Sequence, residues 1–495
     1  MKKLNKSKLS EKIANKEPIK ITFKYIDEDI LMITNSILAR VLSNTDQIFL
    51  LNSIITILRE ILVNALKANA KRVFFTKMNL NINDKNDYSN GIIQFKNTVI
   101  GEFDQIETDL NNSDYYVESV FRISDRDLSI QVSNNSPILP EEMERIQYRI
   151  QKAATVKDFT DAYEDIQDST EGAGLGIVLT ILLLQNMGVE AKNFQISRKN
   201  GLTVSTLTIP RLLKPIEVIT SIKEKILGEI EGIPTFPENI LTLQRLCTDP
   251  ESSIDEISRR ISADPALTTD IIKLSNSAGF VPGKRIETVP AAIMTIGLKN
   301  VNAILLASSA RRILNERYST FEQIWNHCNK TAFYARNIAL KYRMPDVVEY
   351  AYIAGLLHDL GKIILLATDI NLTRKIAEII QDRKVAPSST VIEEISIGLS
   401  HSAIGAMVAE RWNFPVYLIE AIRDHHAPLN ADTKFRDVVY TVYLANMMCG
   451  IESRKYSFPY LEDTVLDYFK LDDPDEFKKT HQLLIKQYEN LNRTN

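Results

Sequence analysis

At 495 residues the chain is too long for one ordinary hydrophobic core, so two or three domains are expected. Its 59 Lys and Arg against 63 Asp and Glu leave a formal charge of −4, without the basic surplus that marks a duplex nucleic-acid binder. Three cysteines lacking any CxxC spacing argue against zinc ribbons and disulfide frameworks, and a polar N-terminus argues against a signal peptide, so a cytoplasmic protein is expected.

Residues 1–16 read as a loose tail, and 17–211 alternate strand-like with helix-like segments, an α+β pattern. Ile54, Ile57, Leu58, Ile61, Leu62, Ala65 and Leu66 fall on one stripe, the spacing of an amphipathic helix. Arg72–Phe75 reads as a short strand, 79–90 as an Asn- and Asp-rich loop, and 91–105 as a further helix. Strands are expected at Val117–Ile123 and Leu128–Val132, across a turn at 124–127. A glycine-rich turn at 172–176 opens an apolar helix whose run to Leu184 is about half a membrane span, so no membrane is expected as a partner. Gly201–Ile209 closes the module as a β-branched strand.

Pro210 and Pro215 mark a boundary, followed by a helical linker over 212–230. From 231 to 455 the pattern is helix after helix. Ser253 with Glu256 reads as a capping box, and Asp264-Pro265 as an N-cap with proline at the first helical position. Residues 456–495 form a polar helical extension expected to pack on the second domain.

Two constellations carry chemistry. In the first, Glu60 and Asn64 lie one helical turn apart; a carboxylate can orient an attacking water, and an amide oxygen can ligate Mg²⁺ between phosphates. Glu171-Gly172-Ala173-Gly174-Leu175-Gly176 then runs into a helix, so backbone N–H groups and the helix N-terminus can meet an anion. The helix Arg59–Ala70, the strand-turn Ile130–Ser136 and this turn resemble, in order, the ATP-binding boxes of the GHKL superfamily, the ATPase fold of histidine kinases and gyrase. That resemblance implies ATP with Mg²⁺, Glu60 as general base, Asn64 on the metal, and Gly172, Gly174 and Gly176 bordering the phosphates. The adenine-reading Asp-x-Gly is here Asn134-Asn135-Ser136, so Asn134 would accept from the adenine amine without a carboxylate's charge. All six histidines follow residue 320, which rules out a conventional autophosphorylating kinase.

In the second, five of the six histidines fall between 327 and 426: His327, His358, His401, His425 and His426. His358 is followed by Asp359 at the end of a helix beginning near Asp346, with Gly361 expected to mark that end and Lys362 to counter phosphate charge. Nitrogen and oxygen ligands of this kind suit Mn, Fe, Ni or Zn. The set resembles the HD superfamily of metal-dependent phosphohydrolases, which implies His327, His358, Asp359, His401, His425 and His426 as metal ligands. Asn446 stands where that family has its last Asp, with Asp424 and Asp437 as nearby carboxylates. Ile233–Ile240, Ser262–Leu267, Lys273–Ala278, Ala292–Leu298, Glu410-Arg-Trp412 and Ile422–His426 further resemble the HDOD domain, a regulatory relative. The whole therefore reads as a GHKL-like ATPase sandwich followed by an all-α HDOD domain. The expected role is a signalling regulator acting on protein partners, and the ATPase resemblance implies a homodimer. The alternatives are a metal-dependent phosphohydrolase controlled by the first domain, and a scaffold with both sites degenerate.

Overall fold

The computed structural model describes residues 6–45, 47–101, 103–155, 174–211, 213, 221–277, 286–318, 321–368, 390, 393, 398–453 and 458–494. The chain divides into two units, Met1–Val218 with Arg383–Gly398, and Ile219–Asp382 with Leu399–Asn495. The division falls inside the stretch expected as a linker.

In the first unit the elements run α1 (Lys6–Ala14), β1 (Ile19–Phe23), α2 (Glu28–Asn44), α3 (Leu51–Lys77), α4 (Lys85–Gly101), α5 (Phe103–Asn111), β2 (Val117–Ile123), β3 (Asp127–Asn134), α6 (Pro140–Thr155), α7 (Gly174–Asn186), β4 (Phe194–Lys199) and β5 (Leu202–Pro210). The five strands form one antiparallel sheet in the order β1-β2-β3-β5-β4. Because side chains alternate along a strand, the register sets Phe121, Ile130 and Leu207 in one row of the core face, and Ile123, Leu128 and Ile209 in the next. Helix α3 packs on this face, and α7, buried from Ile177 to Leu184, packs against α3 and α6. At one end of the sheet the apolar rows give way to Asn134, paired with Thr203, and to Ser205.

Three expectations are corrected here. The supposed tail is helical over Lys6–Ala14, with Leu9 and Ile13 (an i, i+4 pair) buried. Arg72–Phe75 is not a strand but the last turns of α3, because Leu66, Ala70, Phe74 and Phe75 continue the buried stripe and tertiary burial outweighs local β preference. The loop over 79–90 already turns helical at Lys85.

The second unit holds α8 (Ser221–Glu231), α9 (Glu238–Thr248), α10 (Ile254–Ser262), α11 (Pro265–Ser277), α12 (Val289–Arg317), α13 (Glu322–Lys341), α14 (Pro345–Leu357), α15 (Leu360–Thr368), α16 (His401–Arg411), α17 (Val416–Asp424), α18 (Arg436–Glu452), α19 (Asp463–Tyr468) and α20 (Pro474–Thr494). No strand occurs among its described residues. Asp264 caps α11, its Oδ1 accepting from Ala266 N at 2.9 Å and Leu267 N at 3.1 Å. Ser253 is the N-cap of α10, but its side chain makes no cap hydrogen bond, so the expected capping box does not form.

The C-terminal helix is tied down by a partly buried polar knot. Glu452, at the end of α18, accepts from Tyr334 Oη at 2.7 Å, from Lys330, and from His481 Nε2 at 3.1 Å. Burial works against its charge, but His481, Lys330 and Tyr334 more than compensate and hold the carboxyl at about 2. Lys330 also lies over the rings of Tyr334 and Tyr488, and Phe333 packs on Tyr488. By length and composition, Ile48–Lys77, Val289–Arg317 and Pro345–Thr368 are long and apolar enough to cross a membrane. The three cysteines are free and buried.

Candidate functional sites

In the first unit, a cavity of about 430 Å³ lies at the polar end of the sheet. Asn64, Ala65 and Ala68 of α3, Asn134, Thr203 and Ser205 of the sheet, and Ile177 of α7 line it. Asn134 is 3 % exposed, and its Nδ2 donates to Ser136 Oγ at 2.6 Å and Asn69 Oδ1 at 3.2 Å. Asn69 is fully buried; it accepts in turn from Ser136 Oγ at 2.8 Å and donates to Tyr116 O at 3.0 Å. With its amide nitrogen committed, the group Asn134 can offer a ligand is its carbonyl oxygen, an acceptor.

The N-terminal turn of α7 approaches Glu60 and Asn64 of α3 at Gly176. A Cβ built on Gly176 would sit 2.2 Å from Glu60 Oε2 and 3.7 Å from Asn64 Nδ2, so any larger residue there would have to turn the Glu60 carboxylate aside. Gly174 is the first residue of α7, while Gly172 lies outside the described residues.

The cavity's charge escaped the sequence reading. Lys67, Lys71, Arg72, Arg145 and Arg149 line it against the single carboxylate of Glu142, five positive charges less one negative, a surplus of four. Lys67/Lys71 and Arg145/Arg149 are i, i+4 pairs, which is the signal that was there to find. Glu142 pairs with Lys71 and with Arg72, whose Nη2 is 2.9 Å away, and accepts from Leu139 N at 3.0 Å. Burial alone would raise this carboxyl; the two cations and the Leu139 N–H bring it down to about 2.

In the second unit, helix ends assemble the other site. His358 and Asp359 occupy the turn between α14 and α15, His401 opens α16, and His425 and His426 follow α17. His327 comes from α13 and Asn446 from α18. The helix α14 does end at this His-Asp pair as expected, with His358 as its C-cap, but Gly361 is not what marks the end. It lies in α15, where a Cβ would stand 1.9 Å from His401 O and 2.5 Å from Gly405 N, so its role is backbone-to-backbone packing of α15 on α16.

The donor atoms converge around Asp359, which is 1 % exposed. Its Oδ1 is 3.4 Å from His401 Nε2 and 3.5 Å from His425 Nε2, and those two nitrogens are 3.3 Å apart. A tetrahedral metal with ligands at about 2.1 Å sets its donors about 3.4 Å apart, so all three edges fit. Its Oδ2 is 3.5 Å from both His327 Nε2 and His358 Nε2, and 2.7 Å from Lys362 Nζ. Two groups have ligand atoms mutually within 4.8 Å: Asp359, His401, His425 and His426, and His327, His358 and Asp359. Neither includes Asp424 or Asp437.

Protonation favours metal binding. His358 Nδ1 lies 2.8 Å from Gly355 O and His425 Nδ1 2.7 Å from Ile422 O, so both nitrogens carry the proton and present Nε2 lone pairs. Burial pushes His358 down to about 3 and lowers His425 and His426, so all three are neutral near pH 7. Burial would raise Asp359, yet His358, Lys362 and the neighbouring imidazoles hold it well below the usual carboxylate range. His358 Nε2 and Asp359 Oδ1 are buried without a hydrogen-bond partner, which a metal would supply. The cluster can hold a divalent metal.

Residues 233–428 match the HDOD domain family. The chain is 28% identical over 482 residues to an uncharacterized protein of Treponema pallidum (strain Nichols), an alignment covering 97% of this chain and 94% of that one. Among solved structures, it is similar to an HDOD domain protein with unknown function from Geobacter sulfurreducens, with 20% identity and a TM-score of 0.42, covering 55% of this chain and 94% of that one. It is also similar to a protein of Shewanella amazonensis SB2B that carries the name of a metal-dependent phosphohydrolase, with 18% identity and a TM-score of 0.38, covering 54% and 100%.

Proposed function

We propose that the chain is a signal-transducing regulator, with a first unit that binds ATP·Mg²⁺ and a metal-holding HDOD unit that meets a protein partner. The observation that carries this reading is the meeting of three distant sequence segments at one place. Asn64 of α3 and Asn134 of β3 line the cavity, and Gly176 of α7 sits against Glu60 and Asn64. The surplus positive charge asks for an anion, the Asn134 oxygen offers an acceptor to an amine, and Asn64 can ligate Mg²⁺. Glu60 would orient an attacking water if the nucleotide is cleaved.

Titration calorimetry on the full chain tests it. ATP·Mg²⁺ should bind stoichiometrically, and Asn64→Ala should weaken binding tenfold or more, about 1.4 kcal/mol. No heat with ATP, ADP or an uncleavable analogue in the presence of Mg²⁺ would sink the nucleotide reading. Coupling is tested separately: nucleotide should change amide exchange in the second unit, and an unchanged pattern refutes it.

A second reading, metal-dependent phosphohydrolase, is favoured by one detail. Lys362 and His327 are 25 and 27 % exposed beside the otherwise buried Asp359, so an anionic substrate could reach that side of the centre. A metal there would supply an activated water; Lys362 would hold the phosphate oxygens. Mn²⁺-loaded protein should then cleave bis-p-nitrophenyl phosphate, with Asp359→Ala silent. Equal rates in the two proteins would reject it.

A further inference from the structure

Resting on the reading that this cluster holds a metal, we infer that the centre is built for one divalent ion, bound by Asp359 Oδ1, His401, His425 and His426, and that Lys362 and Asn446 block a second. The two oxygens of Asp359 are not equivalent. Oδ1 faces His401 and His425 and makes no hydrogen bond. Oδ2 faces His327 and His358 and already carries the Lys362 ammonium at 2.7 Å. A cation at the His327–His358 position must displace that ammonium or share the oxygen with it, at a like-charge cost.

Asn446 adds a second obstacle. Its Oδ1 is 3.1 Å from His327 Nε2. In that orientation His327 must donate a proton to the amide, which uses the nitrogen a metal needs. With the amide turned over, its Nδ2 donates to the same nitrogen and uses the lone pair. Either way the bond must break before His327 can ligate, and what replaces it is a neutral amide oxygen, not a carboxylate. Charge gives the same answer. One shared carboxylate among neutral imidazoles leaves a lone divalent ion at +1, whereas two divalent ions leave +3, with the Lys362 charge adjacent. At the first position Asp359 Oδ1 lacks a partner, and the contact to undo is that between His425 Nε2 and His401 Nε2, which a change of the His401 tautomer releases with no ammonium to displace.

The test is metal stoichiometry of the chelator-stripped full chain by mass spectrometry and calorimetry with Mn²⁺ and Zn²⁺. The wild-type chain should take one equivalent tightly and any second at least a hundredfold more weakly. His327→Ala should keep the tight equivalent, while His401→Gln or His425→Gln should lose it, circular dichroism checking that each variant is folded. Asn446→Asp with Lys362→Met should strengthen the second equivalent tenfold or more. Two equivalents of similar affinity in the wild type, a His327→Ala chain without metal, or a double variant that still binds one would overturn the inference. No metal in any form would instead remove the reading on which it rests.

Discussion

Gly361→Ala will lower the stability of the second unit by about 3 kcal/mol or more, the upper end of what overpacking usually costs. The added methyl would meet the His401 carbonyl at 1.9 Å and the Gly405 nitrogen at 2.5 Å, backbone atoms that cannot swing aside. Relief requires α15 and α16 to part, and α16 begins with His401, so the donor spacing around Asp359 opens with it. Thermal unfolding should therefore drop by about 10 °C, and the surviving folded protein should bind metal at least tenfold more weakly. Gly228→Ala is the control: it lies in α8 with nothing within 4 Å, so alanine should be neutral or stabilise by up to about 1 kcal/mol through helix propensity. A Gly361→Ala chain that melts like the wild type would show that the two helices are not held in contact there.

Glu142→Gln will cost the first unit about 3 kcal/mol, since breaking a mostly buried ion pair strands the remaining charge. Arg72 and Glu142 side chains are 8 and 12 % exposed, so little water replaces the lost partner. The pH dependence follows from the same contacts. The carboxyl sits at about 2 in the folded chain, below the ordinary 4.5, so its contribution is complete above pH 4.5 and disappears as pH falls towards 2. Melting curves of the wild type should show that loss across the window, and the difference from Glu142→Gln should shrink with it. A constant difference from pH 6 to pH 3 would contradict the assignment. The variant also raises the positive surplus at the cavity, so an anionic ligand should restore part of the lost stability.

Much of the His/Asp cluster was legible in the sequence because its members lie near helix ends in one stretch of chain. The five histidines and Asp359 do come together, and Asn446 does stand beside His327. What sequence could not convey was the partition of Asp359's two oxygens, which exists only once residues from several helices surround them. The helix end at His358-Asp359 was legible, but the role of Gly361 was not, for a related reason. A glycine after a His-Asp pair suits a helix end, and only the position of α16 shows that it serves close contact. In the first unit the helix stripe and most strands were readable from period, while Arg72–Phe75 misled because its β preference is local and its burial is not. The cationic lining was missed because Lys67, Lys71, Arg145 and Arg149 look like solvated helix faces until two helices turn them toward one space.

The knot around Glu452 bears on how the second unit can be excised. The family match ends at residue 428, yet α18 packs on α13 and α14, and α20 closes over Lys330, Phe333 and Tyr334 through His481 and Tyr488. A fragment stopped at that boundary would lack Asn446, leave Lys330 without its carboxylate and bare the aromatic wall of α13 to water. It would be a torn surface that collects in inclusion bodies, so the piece worth cloning runs from Ile219 to the end of α20.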